Sequence, residues 1–222
     1  MRIARISLLM LFVFLGCDND TETAITDGPV YTELNVRFDK TTNKTTGTSW
    51  FWQGNKNGRW LIFNPDAVLK FQDNAMEYRP GDHSYFKELN NLQTPAVFSF
   101  TDINKKSFTN SIEVKQIDFR ATDDLDTVDT SQPLTVIWNG VALENSESVT
   151  LRIDAVSVTQ DTIGKTSITF SSEKFALLSS VKNTTVTMTV ERTRSLALQQ
   201  DLGGSGFIRA EYVSQAKSVF LK

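Results

Sequence analysis

In TELNVRF, residues 32–38, polar and apolar side chains alternate without a break from Glu33 to Phe38. On an extended chain Leu34, Val36 and Phe38 point to one side, and Glu33, Asn35 and Arg37 to the other. The same period of two recurs in SVTLRI (Val149, Leu151, Ile153) and in TVTMTV (Val186, Met188, Val190). Such alternation, rich in β-branched residues, marks half-buried antiparallel strands with one face on a core and the other in water. A helical period is confined to SSEKFALLSS, residues 171–180, where Ser171 or Ser172 can cap one short helix. Strand signals return roughly every eight to twelve residues, the spacing of sandwiches and barrels. The chain therefore reads as all-β.

The stretch RATDDLDTVDTSQP, residues 120–133, interrupts this pattern with polar and acidic residues, and Pro133 precedes a new strand at LTVIWNG. We expect two Ig-like antiparallel β-sandwich modules, residues 30–120 and 133–222, joined by an acidic linker over 121–132. Modules of about 90 to 100 residues are the usual size for such sandwiches. Near the C-terminus DLGGSG, residues 201–206, reads as a hairpin turn into the last strands.

With 23 Lys and Arg against 26 Asp and Glu, the chain lacks the basic footprint of a nucleic-acid binder. Its single cysteine, Cys17, cannot form an intramolecular disulfide, so packing alone must hold the fold. MRIAR carries two arginines, and the apolar run ISLLMLFVFLG that follows is too short to span a bilayer as a helix. Gly16 then supplies a small residue immediately before Cys17. In residues 1–20 the chain resembles bacterial lipoproteins, whose signal peptide ends in a small residue followed by the cysteine to be acylated. That resemblance implies a signal peptide over 1–16, a lipidated Cys17, and an acidic spacer over 17–29 between membrane and fold. It also implies residence in the bacterial cell envelope, lipid-anchored at the outer membrane or cell surface. The layout of 30–222, through SFTNSI, LTVIWNG and RAEYVS, resembles the tandem Ig-like modules of envelope lipoproteins, without the Cys-Trp-Cys core of immunoglobulin domains.

Catalytic parts are scarce. The only histidine, His83, sits in RPGDHSYF between Asp82 and Ser84, and neighbours on a turn point apart instead of forming a triad. There is no G-x-S-x-G, H-E-x-x-H or P-loop motif. A hydrolase built on two carboxylates that meet in space is the alternative from the enzyme class, with no pair that local spacing singles out. No cofactor is expected. Asp123, Asp124, Asp126 and Asp129 could offer oxygens to calcium, but EF-hand spacing is absent and a solvated linker is the simpler reading. Asp124, Asp126 and Asp129 stay as weak metal candidates.

The most informative segment after the N-terminus is SWFWQGNKNGRWLIF, residues 49–63. Its GNKNG turn predicts a hairpin that sets Trp52 opposite Trp60 and Trp50 opposite Ile62 on one face. Phe51, Leu61 and Phe63 then share the other face. Both faces are apolar, so something must cover the second. Three covers are open: the protein itself, a partner protein, or sugar rings stacked on Trp50, Trp52 and Trp60. In the last case Gln53, Asn55, Asn57 and Arg59 would supply hydrogen bonds. We expect a non-enzymatic binding or assembly role, its partners the membrane through Cys17 and another envelope protein or a polysaccharide. A glycan-binding accessory protein is the alternative within that class.

Overall fold

The computed structural model describes residues 21–23, 28–121 and 125–222. In chain order the strands of the first half are β1 (Thr21–Thr23), β2 (Val30–Asp39), β3 (Lys44–Gln53), β4 (Leu61–Phe63) and β5 (Val68–Phe71). They continue with β6 (Asn74–Ala75), β7 (Glu77–Arg79), β8 (Ser84–Asn90), β9 (Ala96–Thr101), β10 (Ser107–Ile112) and β11 (Asp118–Phe119). The second half holds β12 (Thr127–Val128), β13 (Leu134–Asn139), β14 (Glu147–Ile153), β15 (Val156–Gln160) and β16 (Ser167–Phe170). After helix α1 (Ser172–Ala176) come β17 (Thr185–Ala197), β18 (Gly203–Val213) and β19 (Lys217–Leu221). The protein is all-β. Its α-helix starts where the pattern placed it, with Ser171 Oγ accepting the Lys174 N–H at 3.4 Å. Among the described residues no helix is long and apolar enough to cross a membrane.

Alternation decides which way each strand faces. In β2 the side chains of Val30, Thr32, Leu34, Val36 and Phe38 are buried while those between them stay half-exposed. Val149, Leu151 and Ile153 of β14 and Val186, Met188 and Val190 of β17 are buried likewise. Against the inner face of β2 and β3 lies a four-stranded sheet in the order β10-β9-β5-β6. It contributes Leu69, Phe71, Phe98 and Phe100 to the core. β3 has a glycine where the ring of Phe71 presses closest: a Cβ on Gly47 would lie 2.5 Å from Phe71 Cγ. A third sheet, β11-β13-β16, brings in Val136, Trp138, Ile168 and Phe170.

The expected division into modules at 121–132 is not a division in hydrogen bonding. Among the described residues the largest sheet has ten strands, with the path β12-β19-β17-β18-β2-β3-β8-β7 and with β14 and β15 attached through β17. At its centre β2, from the first half, runs parallel to β18, from the second, with Leu34 opposite Ile208 and Val36 opposite Ala210. One buried hydrophobic cluster takes residues from both halves. The expected linker joins this core, because it carries two apolar side chains that water does not favour. Leu125 is 5% exposed, Val128 is 4% exposed, and Thr127–Val128 pairs with β19.

Two further expectations change. Sheet pairing is not wholly antiparallel, since β1–β4, β12–β19 and β18–β2 are parallel pairs. The spacer over 17–29 carries a strand: Thr21–Thr23 forms β1 and pairs with β4. An edge strand leaves backbone donors and acceptors unpaired, and an extended Thr-Glu-Thr segment is well suited to take them.

Candidate functional site

The aromatic hairpin forms as a pair of ring stacks on opposite sides of β3. Gln53 N–H donates to Arg59 O at 2.9 Å, Gly58 N–H to Asn55 O at 2.8 Å, and Asn57 N–H to Asn55 Oδ1 at 2.9 Å. These bonds bring Trp60 directly opposite Trp52 in an isolated antiparallel bridge. On the core side Phe51 and Phe63 meet edge to face at 4.5 Å, and Tyr85 lies over Phe63 at 5.4 Å. Tyr85 Oη also accepts the Phe63 N–H at 2.7 Å.

On the opposite face the chain supplies its own cover. Trp52 is only 5% exposed, closed in by Tyr31 at 5.7 Å from the paired strand β2 and by Trp60 at 4.5 Å. Trp60 in turn stacks against His83, with ring centroids 5.2 Å apart and planes 18° from parallel. The backbone of His83 has a φ of 53° in the turn before β8, and its Nδ1 lies 3.1 Å from Tyr78 Oη. Trp50 and Trp60 stay half-buried, and Gln53 and Arg59 are exposed at the loop. Of the five residues expected to meet a ligand, Trp52 is therefore the one withdrawn from solvent. Tyr31 and His83 were missing from that expectation, since nothing local to either residue shows where the hairpin folds.

Truncating Trp60 to alanine is expected to open Trp52 to water, with a red-shifted tryptophan emission and a stability loss of about 2 kcal/mol. Emission spectra and urea midpoints of Trp60→Ala read both effects. Unshifted emission would mean that Tyr31 alone suffices as the cover.

A second constellation lies where the two halves meet. Following the buried parity of β14 and β17 by one step each leads to Glu147 and Arg192, charged residues on core-facing positions. The side chain of Glu147 is 0% exposed and that of Arg192 is 1% exposed. Arg192 donates to Val141 O at 2.7 Å, to Ala142 O at 3.0 Å, and to Glu147 Oε2. Glu144 N–H donates to the same Oε2 at 2.9 Å. On Oε1 the contacts are ion pairs without hydrogen-bond alignment, Lys115 Nζ at 3.0 Å and Arg194 Nε at 3.7 Å. Burial alone would raise the Glu147 carboxyl. The Arg192 hydrogen bond, then the Glu144 amide and Lys115, outweigh it and hold the group below its usual range.

This buried pair underlies an open cleft of about 980 Å³, its mouth included, lined by Glu113, Lys115 and Gln116 on one side and Gly140, Glu144 and Arg194 on the other. Lys115 bridges to Glu144 at 2.6 Å, and Arg194 Nη1 reaches Glu113 Oε2 at 3.6 Å. The cleft so presents both signs of charge. It also brings the carboxylates of Glu113 and Glu144 to one place, each tied to a cation. No local motif announced this cleft, but Glu147 and Arg192 were legible as misfits in two apolar stripes.

Asp126 and Asp129, the two acidic candidates among the described residues, take separate partners. Asp129 accepts Ser131 N–H at 2.9 Å and Ser131 Oγ–H at 2.8 Å, and these bonds hold its carboxyl below the usual range. Asp126 pairs with Lys217 at 3.4 Å. Among the described residues no three metal-ligating side chains cluster. Asp124 and Cys17 lie outside the described residues.

No protein-family model matches the chain, and no curated protein sequence matches it. Among the solved structures that match the chain are two. One concerns the host cell surface retention of a 1.5-MDa bacterial ice-binding adhesin, with 13% identity and a TM-score of 0.27 over 88% of this chain. The other is SGBP-B from the Bacteroides ovatus mixed-linkage glucan utilization locus, in complex with a mixed-linkage heptasaccharide. It has 10% identity and a TM-score of 0.26 over 84% of this chain. The chain spans 66% of the adhesin chain and 47% of the SGBP-B chain.

Proposed function

We propose that this chain is a lipid-anchored cell-envelope protein that binds a polar partner without transforming it, and that the cleft between residues 113–116 and 140–144 receives that partner. Cys17 supplies the anchor and the continuous β-structure a rigid support. One observation carries the choice of cleft: Lys115, Glu144, Arg194 and Glu113 are held in place over a buried Glu147–Arg192 pair. Fixed charges of both signs in an open cleft suit a partner surface of matching polarity, because little side-chain freedom is lost on binding.

The test uses the full-length, C-terminally tagged chain in native membranes, with a photo-crosslinking residue at Gln116 or, as a control, at Ile163, which is 64% exposed. A discrete adduct is expected from Gln116 and not from Ile163, and Lys115→Glu should abolish it. Equal crosslinking from both positions would remove the cleft. A cleaved or otherwise altered partner would move the reading to a hydrolase using Glu113 and Glu144.

The glycan reading keeps one specific support. Trp50 and Trp60 remain half-exposed beside Gln53, Asn55, Asn57 and Arg59, while Trp52 is covered. If a polysaccharide stacks there, it should change tryptophan emission in the parent chain and not in Trp60→Ala. A silent glycan panel ends that reading.

A further inference from the structure

The direction of β1 bears on how an anchored chain would sit. β1 pairs with β4 in parallel, Thr21 opposite Leu61, Glu22 opposite Ile62 and Thr23 opposite Phe63. The residues just before β4 are Trp60, Arg59 and the Gly54–Gly58 turn. Because the two strands run the same way, the chain enters β1 from the end of the sheet that carries this turn. Only Asp18, Asn19 and Asp20 separate Cys17 from Thr21. Four residue steps reach at most about 14 Å, whatever their conformation.

From these facts we infer that the 54–60 turn is the membrane-proximal end of the protein and lies against lipid headgroups. The inference rests on the acylation of Cys17 proposed above. A lipid at Cys17 cannot stand further from Thr21 than the tether allows, so the neighbouring turn is held at the bilayer surface. Its composition fits that surface. Asn55, Lys56, Asn57 and Arg59 are exposed, Lys56 with 61% of its side chain while its Nζ pairs with Glu33 at 2.6 Å, and Trp60 is half-buried behind them. Lysine and arginine heads reach phosphates while tryptophan prefers the headgroup layer. Anionic lipid attracts Lys56 and Arg59 and repels Asp18 and Asp20, which favours contact through the turn and not through the tether itself. The opposite end of the β2–β3 pair, the Thr41–Asn43 turn, then stands about 30 Å further out, at some 3.3 Å per residue along ten-residue strands.

The experiment compares fluorophores at Asn57→Cys and Thr42→Cys, two exposed turn positions at opposite ends of the same strand pair. Acylation consumes the Cys17 thiol, so the introduced cysteine is the one that labels. The full chain, acylated in cells, is reconstituted into vesicles of phosphatidylethanolamine and phosphatidylglycerol that carry nitroxide on a fraction of the headgroups. Quenching at Asn57→Cys is expected to exceed that at Thr42→Cys several-fold. Equal quenching, or stronger quenching at Thr42→Cys, in protein that floats with the vesicles overturns the orientation and leaves the anchor standing. Unmodified Cys17 by mass spectrometry, with protein that does not float, overturns the anchor and the orientation with it.

Discussion

Arg192→Met is expected to destabilise the protein by about 3–5 kcal/mol, because it leaves Glu147 ionised in the core without its main partner. For a chain of this size that corresponds to a drop in Tm of roughly 10 °C. Arg192 is 1% exposed and Glu147 is 0% exposed, so water cannot replace the lost hydrogen bonds. Replacing both, as Arg192→Met with Glu147→Leu, should recover most of the loss, since neither charge then remains to be desolvated. The effect has a defined pH dependence. In the parent protein Glu147 is held below its usual value, near 4.5, so its contribution is present above that value and is lost as pH falls through the lower folded value. In Arg192→Met burial prevails and the carboxyl takes up a proton more readily. The stability gap between parent and variant should therefore be widest at about pH 7 and narrow by about pH 4. Urea midpoints at the two pH values measure it. A gap of constant size would show that the cost comes from lost packing alone.

The second large effect is expected at Gly206. A Cβ built there would lie 1.9 Å from Thr32 O, and one at Gly204 would lie 2.4 Å from Val30 O. No rotamer change relieves either contact, because the obstacle is the backbone of the neighbouring strand. Gly206→Ala must push β18 away from β2 where the register already shifts between Gly203 and Gly206. We expect a loss of about 3 kcal/mol or more. Faster amide exchange along β2 and β18 should accompany it, because their pairing joins the two halves of the chain. Gly81→Ala, with nothing within 4 Å of the added carbon, should leave stability unchanged. Equal behaviour of the two variants in denaturation would show that β2 and β18 can separate at little cost.

These two sites mark how far the sequence could be read. Glu147 and Arg192 lie on stripes whose apolar members were recognised at once: 149, 151 and 153 in one strand, 186, 188 and 190 in the other. A charge at the next inward position announces a buried polar group. It does not name its partner, because β14 and β17 are brought together by pairing across 45 residues. The glycines at 203–206 read as a hairpin turn, but the chain reverses before them, over 198–202, and Gly203–Gly206 already lie in β18 beside β2. Their closest neighbours are on β2, which lies far earlier in the chain, and a turn motif carries no information about that neighbour. In the aromatic hairpin the pairing of Trp52 with Trp60 was legible, since a short turn imposes register on its own flanks. The cover over it was not, because Tyr31 and His83 arrive from separate strands and loops.

The sequence by itself determined the all-β class, the inward face of most strands, the single capped helix and the local register of the Trp52–Trp60 hairpin. Each follows from contacts within a few residues, where periodicity and turn chemistry act directly. Only the tertiary structure decided that β2 joins β18, that Leu125 and Val128 leave the expected linker for the core, and that β1 docks beside the 54–60 turn. Parallel pairing of distant strands has no local signature. Its free energy comes from completing a sheet and burying two faces together, and that exists only once the chain has folded.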